Sequence, residues 1–396
     1  VKLMTVAAAR AAMLAGVQPL ELANVPLAEA LGRVLAGEVR AMRNQPPVAV
    51  SSMDGWAVRA EDGGAARRIV GESAAGRPFA GRVGQGEAAR IFTGAPVPEG
   101  ADSVVIQEEA RREGDRVTVP EVAVGAFVRR AGLDFAAGDV LLRAGVRLDP
   151  WRLALAAAAG RGALAVARAP EVTILSTGDE VVAAGAAPGP AQIFDSASPA
   201  LTALAVCWGA AARLAHAGDD ETTIADLAAG CGGDLLVTLG GASVGDHDLV
   251  KPALRRLGLA LAVESVAVRP GKPTWFGRLT DGRAVLGLPG NPASALVCAE
   301  LFLRPLLNAL QGADPAPRPI PARLEAPLPA NGPREHWMRA RLVHAPDGGL
   351  LARPLADQDS SLVTVFAEAQ ALLRRAADAP AAGAGDAVEI LLLDRL

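Results

Sequence analysis

Residues 234–248, "DLLVTLGGASVGDHD", run from an unbroken apolar segment into a glycine-rich loop that ends on two aspartates around a histidine. An apolar run of strand length, without polar alternation, predicts a strand covered on both faces, as in parallel sheets. The same pattern recurs on either side. "EVTILS" (171–176), a helix near 198–213, a helix near 248–257, "ESVAV" (264–268), "TWFGRL" (274–279), "AVLGLP" (284–289) and a helix from 293 complete it. Strands alternating with helices predict an α/β unit over 171–312 with a mainly parallel sheet.

Outward from this unit the texture changes. Residues 5–15 and 24–36 are Ala/Leu-rich and predict two helices, the second with Asn24 as N-cap and Pro26 in its first turn. Between 44 and 131, short runs such as "RRIV", "ADSVVI", "DRVTV" and "AFVRR" alternate with Gly/Pro turns and predict a small all-β domain. Residues 132–170 return to Ala/Leu patterning, with Asp149 and Pro150 as a helix entry, and group with 1–43 as a discontinuous linking domain. A proline-dense stretch from 311 breaks any helix and leads into a strand-rich C-terminal domain, 313–396. The expected fold class is α/β multidomain.

Composition narrows the function classes. The chain has 396 residues, too many for one ordinary core, and a net charge of −4 without a basic stripe, which speaks against extended nucleic-acid binding. No uncharged apolar run reaches the length of a membrane span, the N-terminus continues into a patterned helix, and a cytoplasmic location without a membrane is expected. Cys207, Cys231 and Cys298 are few and widely spaced, which predicts buried free thiols.

Ligands of open α/β sheets bind beyond the carboxyl ends of the strands. There the opening loop places Gly240, Gly241 and Gly245 for close backbone approach, Ser243 as a hydroxyl, and Asp248 as a helix cap or metal ligand. A tight turn with a capping aspartate is the plainer account of that loop alone. Three further loops change the balance: "STGDE" (176–180), "RPGKP" (269–273) and "LPGNPAS" (288–294). They add Arg269 and Lys272 as cations, Glu180 as a carboxylate, and Pro289, Gly290, Asn291 and Pro292 at a helix entry. Cations suit phosphate or oxyanion, and carboxylates suit Mg²⁺ shared with phosphate oxygens. No Walker loop or GxGxxG is present. In the β domain, Asp54 of "SSMDGWA" and Thr93 of "IFTGAPVPEGAD" stand in turn-rich loops, as does Asp134 after the pair Arg129 and Arg130, while Met53 and Trp56 resemble packing anchors.

Together, "SSMDGWA", "IFTGAPVPEGAD", "STGDE", "GGASVGDHD", "RPGKP" and "LPGNPAS", in this order over nearly the whole chain, resemble the molybdopterin molybdenumtransferases, the molybdenum insertases related to the plant insertase domain and the C-terminal part of gephyrin. The resemblance implies an elongated homodimer with the active site near the subunit interface, and an α/β domain like that of molybdopterin adenylyltransferases. It implies that molybdate and adenylylated molybdopterin are converted, with Mg²⁺, to AMP and molybdenum cofactor. An upstream adenylyltransferase and recipient molybdoenzymes are the implied partners. Asp54, Thr93, Asp134, Glu180, Asp248 and Lys272 match the family's catalytic positions, with Glu180 and Asp248 as metal ligands. Arg339 of "EHWMRARL" and Ser360 or Ser361 of "DQDSSLV" match positions of molybdate contacts.

The chain also departs from the family pattern. Arg269 stands where Lys is common, Ala197 where Asn is usual, and Leu239 where a small hydroxyl residue is usual. "LVTVFAEAQAL" after the serines lacks the expected glycine-bearing stretch. The alternative function is a non-catalytic molybdopterin-binding scaffold, or a diverged paralogue, on the same fold.

Overall fold

The computed structural model describes residues 3–240 and 249–393. Its centre is a six-stranded sheet. The strand Glu171–Thr177 lies between two parallel neighbours, Ala211–Ala217 and Leu235–Leu239, and the latter pairs in parallel with Ala284–Leu288. Two antiparallel strands, Trp275–Arg278 and Ala260–Val263, complete the far edge. Leu235–Leu239 and Ala284–Leu288 are buried at every position, as their unbroken apolar sequence requires. Trp275 sits across from Gly287, and its indole occupies the space where a Cβ would project.

Three expectations for this unit are corrected. The segment 211–217 is an edge strand followed by the helix Glu221–Gly230, so the predicted helix stops early, at Cys207. Gly209, at φ 88°, ends that helix in a conformation few other residues adopt. "ESVAV" is not a strand of the α/β sheet: only Val268–Arg269 is extended, and it pairs with Glu335–His336 of the C-terminal sheet. Cys231 and Cys298 are buried, Cys298 deeply enough that burial pushes its thiol up to about 12, but Cys207 is exposed.

The helix from 292 to 310 passes beneath the sheet. It is apolar and long enough to cross a bilayer, yet it is the core helix here, with 72% of its most apolar window buried. Its middle widens into a π-turn over Ala299–Leu303, immediately before Pro305. Proline lacks an N–H and crowds the carbonyl four residues back, which a wider turn relieves. The helix Val6–Leu14, capped by the Thr5 hydroxyl accepting from the Ala8 N–H at 3.2 Å, packs Val6, Ala9 and Met13 into the same core.

The predicted helix over 24–36 does not form. Leu22–Pro26 is a strand paired with Ala163–Ala167, followed by a single 3₁₀ turn at Leu27–Glu29. Alternating apolar side chains there serve a two-residue period that local composition concealed. The helix Pro150–Ala158 does form, with the Asp149 carboxylate accepting from the Arg152 N–H at 2.8 Å and Pro150 in the first turn. Residues 55–119 build a second six-stranded sheet around Trp56, whereas Met53, predicted as an anchor, is 43% exposed.

The C-terminal sheet closes on itself. Glu335–His344 pairs with Leu350–Pro354 on one side and Ala371–Arg375 on the other, and Ile320–Leu324 and Ala387–Leu392 complete the barrel. Trp337, Leu372 and Leu391 leave it to join the core of the α/β unit.

Candidate active site

A cleft of 730 Å³ opens at the carboxyl ends of the parallel strands. Two smaller cavities, of 440 and 430 Å³, lie away from these strand ends. The cleft's floor is the end of Glu171–Thr177, and its walls include Glu180, Gly240, the turn Pro289–Pro292 and Ser361. Gly240 has φ 87°, and a Cβ there would stand 2.8 Å from the Thr177 hydroxyl, so both conformation and space require glycine. Gly290 abuts it, with the space for its Cβ only 3.5 Å from Gly240 Cα. The two loops therefore form one continuous backbone surface.

Glu180 is exposed at the rim, and its carboxylate lies over Gly178, where a Cβ would collide with it. Among the described residues no ion pair engages it. Its backbone carbonyl accepts from the Ile193 N–H at 2.7 Å, and Asp195 N–H donates to the Val182 carbonyl at 2.8 Å. These bonds hold Ile193 and Phe194 as a short strap along the cleft, 59% and 49% exposed respectively. The strap, together with Asp195 and Ser198, escaped the sequence reading. Asp195 three residues before Ser198 was the available signal, since an aspartate before an apolar run is a helix-capping pattern. Its carboxylate accepts from the Ser198 N–H at 3.0 Å. Ala197 and Leu239, the two departures beside the pocket, both line the cleft and are both buried.

The barrel roofs this cleft through a chain of hydrogen bonds. The Asn291 side-chain amide donates to the Ser360 hydroxyl at 2.8 Å, and the Ala293 N–H donates to the Ser360 carbonyl at 3.0 Å. The next residue, Asp359, offers its carbonyl to Arg339 Nη2 at 2.9 Å. Arg339 is fully buried, its Nε and Nη1 have no hydrogen-bond partner among the described residues, and burial draws its pKa below the usual guanidinium value. A guanidinium held with unused donors is suited to an oxyanion. Arg269 is exposed beside the same strand and opposes the charge on Arg339. Burial, and then the charges of Arg269, Arg339 and Arg334, push the neighbouring His336 down to about 4. "LVTVFAEAQAL" folds in part as the short helix Thr364–Glu368, which sets Phe366 6.0 Å from the Arg339 guanidinium.

The remaining predicted residues are distributed differently. Lys272 is exposed, its carbonyl accepts from the Val266 N–H at 3.0 Å, and its neighbour Pro273 reaches the cleft wall. Gly241, Ser243, Gly245 and Asp248 lie outside the described residues. Asp54 and Thr93 meet in the small β domain: one Asp54 carboxylate oxygen accepts from the Thr93 N–H at 2.7 Å and from its hydroxyl at 2.9 Å. The backbone bond foremost, and then the hydroxyl, hold the Asp54 carboxyl below the usual carboxylate range. Asp134 stands in another loop, with its N–H donating to the Gln45 carbonyl at 2.9 Å. None of Asp54, Thr93 and Asp134 lines the cleft.

Known proteins share this architecture. Residues 4–160 match the MoeA N-terminal region (domain I and II), residues 173–309 a probable molybdopterin binding domain, and residues 321–393 the MoeA C-terminal region (domain IV). The molybdopterin molybdenumtransferase of Nostoc sp. is 37% identical over 341 residues, covering 82% of this chain and 78% of its own. That of Bacillus subtilis is 33% identical over 385 residues, covering 93% and 89% respectively. The crystal structure of the molybdopterin biosynthesis MoeA protein from Pyrococcus horikosii superposes with a TM-score of 0.82 at 29% identity over 100% of both chains. The cleft between a molybdopterin-binding type of α/β unit and a closed barrel, with these matches along the chain, places it in the molybdopterin molybdenumtransferase family, transferases of molybdenum cofactor biosynthesis.

Proposed function

We propose that this chain inserts molybdenum from molybdate into adenylylated molybdopterin, releasing AMP. The observation that carries this reading is a cleft of strand ends and glycine backbone, which suit phosphates, roofed by a segment, Asp359–Ser361, whose Asp359 carbonyl is held from behind by the buried guanidinium of Arg339. Arg269 and Lys272 supply further positive charge for molybdate or for charge developing on phosphate.

Mg²⁺ fits one feature of the described site. Glu180 offers an exposed carboxylate at the cleft with no cation paired to it among the described residues, and Mg²⁺ is commonly held by one or two carboxylates with substrate phosphates. When bound, such an ion would neutralise pyrophosphate charge; Glu180 would hold it, with Asp248 as the second ligand.

Asp54 and Thr93 form an ordered acid–hydroxyl pair that does not line the cleft, and we assign them to the active site of a second copy, in a homodimer. Cytoplasmic location, receipt of substrate from an adenylyltransferase and delivery to molybdoenzymes complete the proposal. The test is AMP release by purified protein from adenylylated molybdopterin, with and without molybdate and Mg²⁺, coupled to activation of a molybdenum-free reporter enzyme. Release that needs both ions and activates the reporter supports insertion. Tight binding without turnover points to the scaffold or paralogue.

A further inference from the structure

Ser176 and His216 form a pair that the reading above leaves unused. Ser176 is the penultimate residue of Glu171–Thr177, is 3% exposed and lines the cleft. His216 stands directly beside it in register on the edge strand Ala211–Ala217, and Ser176 Oγ lies 2.8 Å from His216 Nδ1. Register neighbours in a parallel pair share a face of the sheet, and this face carries the helix Ala197–Cys207. The N-terminus of that 11-residue helix lies at the same cleft; Ser196 makes no side-chain capping bond, and the Asp195 carboxylate takes the Ser198 N–H. Ser198, fully buried at the same wall, has a hydroxyl with no partner among the described residues.

In the first turn of that helix the Ser198 N–H is bonded to Asp195 and Pro199 has no N–H, so the Ser176 and Ser198 hydroxyls at this wall are the donors that suit a phosphate oxygen. We propose that His216 is a positioning residue: its ring fixes the Ser176 hydroxyl so that the serine proton reaches a phosphate oxygen of the nucleotide-bearing substrate. This rests on the insertion reading. In the tautomer with its proton on Nδ1, His216 donates to Ser176 Oγ, and the serine proton is free to point into the cleft. A hydroxyl oriented before binding loses less freedom when the ligand arrives. The arrangement makes Ser176 a substrate contact and His216 its orienting partner, one shell removed.

The experiment compares wild type, Ser176→Ala, His216→Ala, His216→Asn and the double variant Ser176→Ala/His216→Ala. Two readouts are taken: kcat and KM for AMP release, and the Kd of AMP itself by calorimetry. Ser176→Ala is expected to raise KM and the AMP Kd about tenfold, the scale of one hydrogen bond, with kcat changed less. His216→Ala should raise them by about three- to fivefold, and His216→Asn, whose amide can still donate, should recover most of that. The double variant should be no worse than Ser176→Ala, because the imidazole acts only through that hydroxyl. Additive effects, no rescue by Asn, or equal AMP binding by all variants would overturn the proposal. If AMP binding ranks as expected while wild type releases no AMP from the adenylylated substrate, the phosphate subsite stands and the insertion reading falls.

Discussion

Single side chains here act through what surrounds them. The Thr93 bonds to Asp54 favour its ionised form, so Thr93→Val should move the Asp54 titration up toward the ordinary carboxylate range, read by carboxyl-carbon NMR. His336 gives a pH dependence of opposite interest. Its folded-state value of about 4 lies below the unfolded 6.5, so the unfolded chain binds the extra proton between them. Stability contributed by neutral His336 is therefore complete above 6.5 and is lost as the pH falls through that window toward 4, with a slope of up to about 1.4 kcal/mol per pH unit. His336→Gln should flatten that slope in urea titrations at several pH values; an unchanged slope would assign the acid sensitivity elsewhere. Glu180→Gln should leave the urea midpoint unchanged, because the side chain is exposed, but raise the Mg²⁺ concentration for half-maximal AMP release about tenfold or more. A loss of turnover with unaltered Mg²⁺ dependence would remove it from that role.

Elements follow local rules until packing overrides them. Asp149→Ala removes the cap of Pro150–Ala158 and should cost about 0.5–2 kcal/mol in equilibrium unfolding. That helix was legible because aspartate, proline and an Ala/Leu run agree with one another. The buried strands Glu171–Thr177, Leu235–Leu239 and Ala284–Leu288 were legible for the same reason: continuous apolar runs end on glycine loops. The strand Leu22–Pro26 was not, since a five-residue strand in Ala/Leu-rich sequence shows no stronger period of two than of 3.6. Val268–Arg269 misled for a different cause: its partner lies more than sixty residues away, in Glu335–His336, and no local pattern encodes a pairing between domains. Motifs on loops beyond strand ends announced Glu180, Gly240 and Asn291. Ser176 opens the "STGDE" motif, but its pairing with His216 had no signal in the sequence, because it arises only when an edge strand falls into register.

Across the whole molecule, two joints decide behaviour. The Asn291–Ser360 bond ties the cleft to the barrel, and the residues proposed for catalysis split between that cleft and the Asp54–Thr93 pair, which does not line it. In a homodimer with shared sites, Asp54→Asn and Glu180→Gln chains should each be poorly active, yet mixed dimers should regain roughly a quarter to a half of wild-type AMP release, since one site per mixed dimer is intact. Co-expressed tagged chains test this; no recovery in purified mixed dimers would place Asp54 in its own subunit's site. The second joint is the common core of the N-terminal helix, the α/β unit and Trp337, Leu372 and Leu391 from the barrel. Its seams run against the direction of synthesis. Val6–Leu14 leaves the ribosome before the helix it covers, which ends at Leu310, roughly 15–60 s later at ordinary elongation rates. For that interval a newborn chain carries an apolar helix without its socket, and then a bilayer-length apolar segment without its cover. Until the barrel has been synthesised, these apolar surfaces are the part of the nascent chain most open to aggregation.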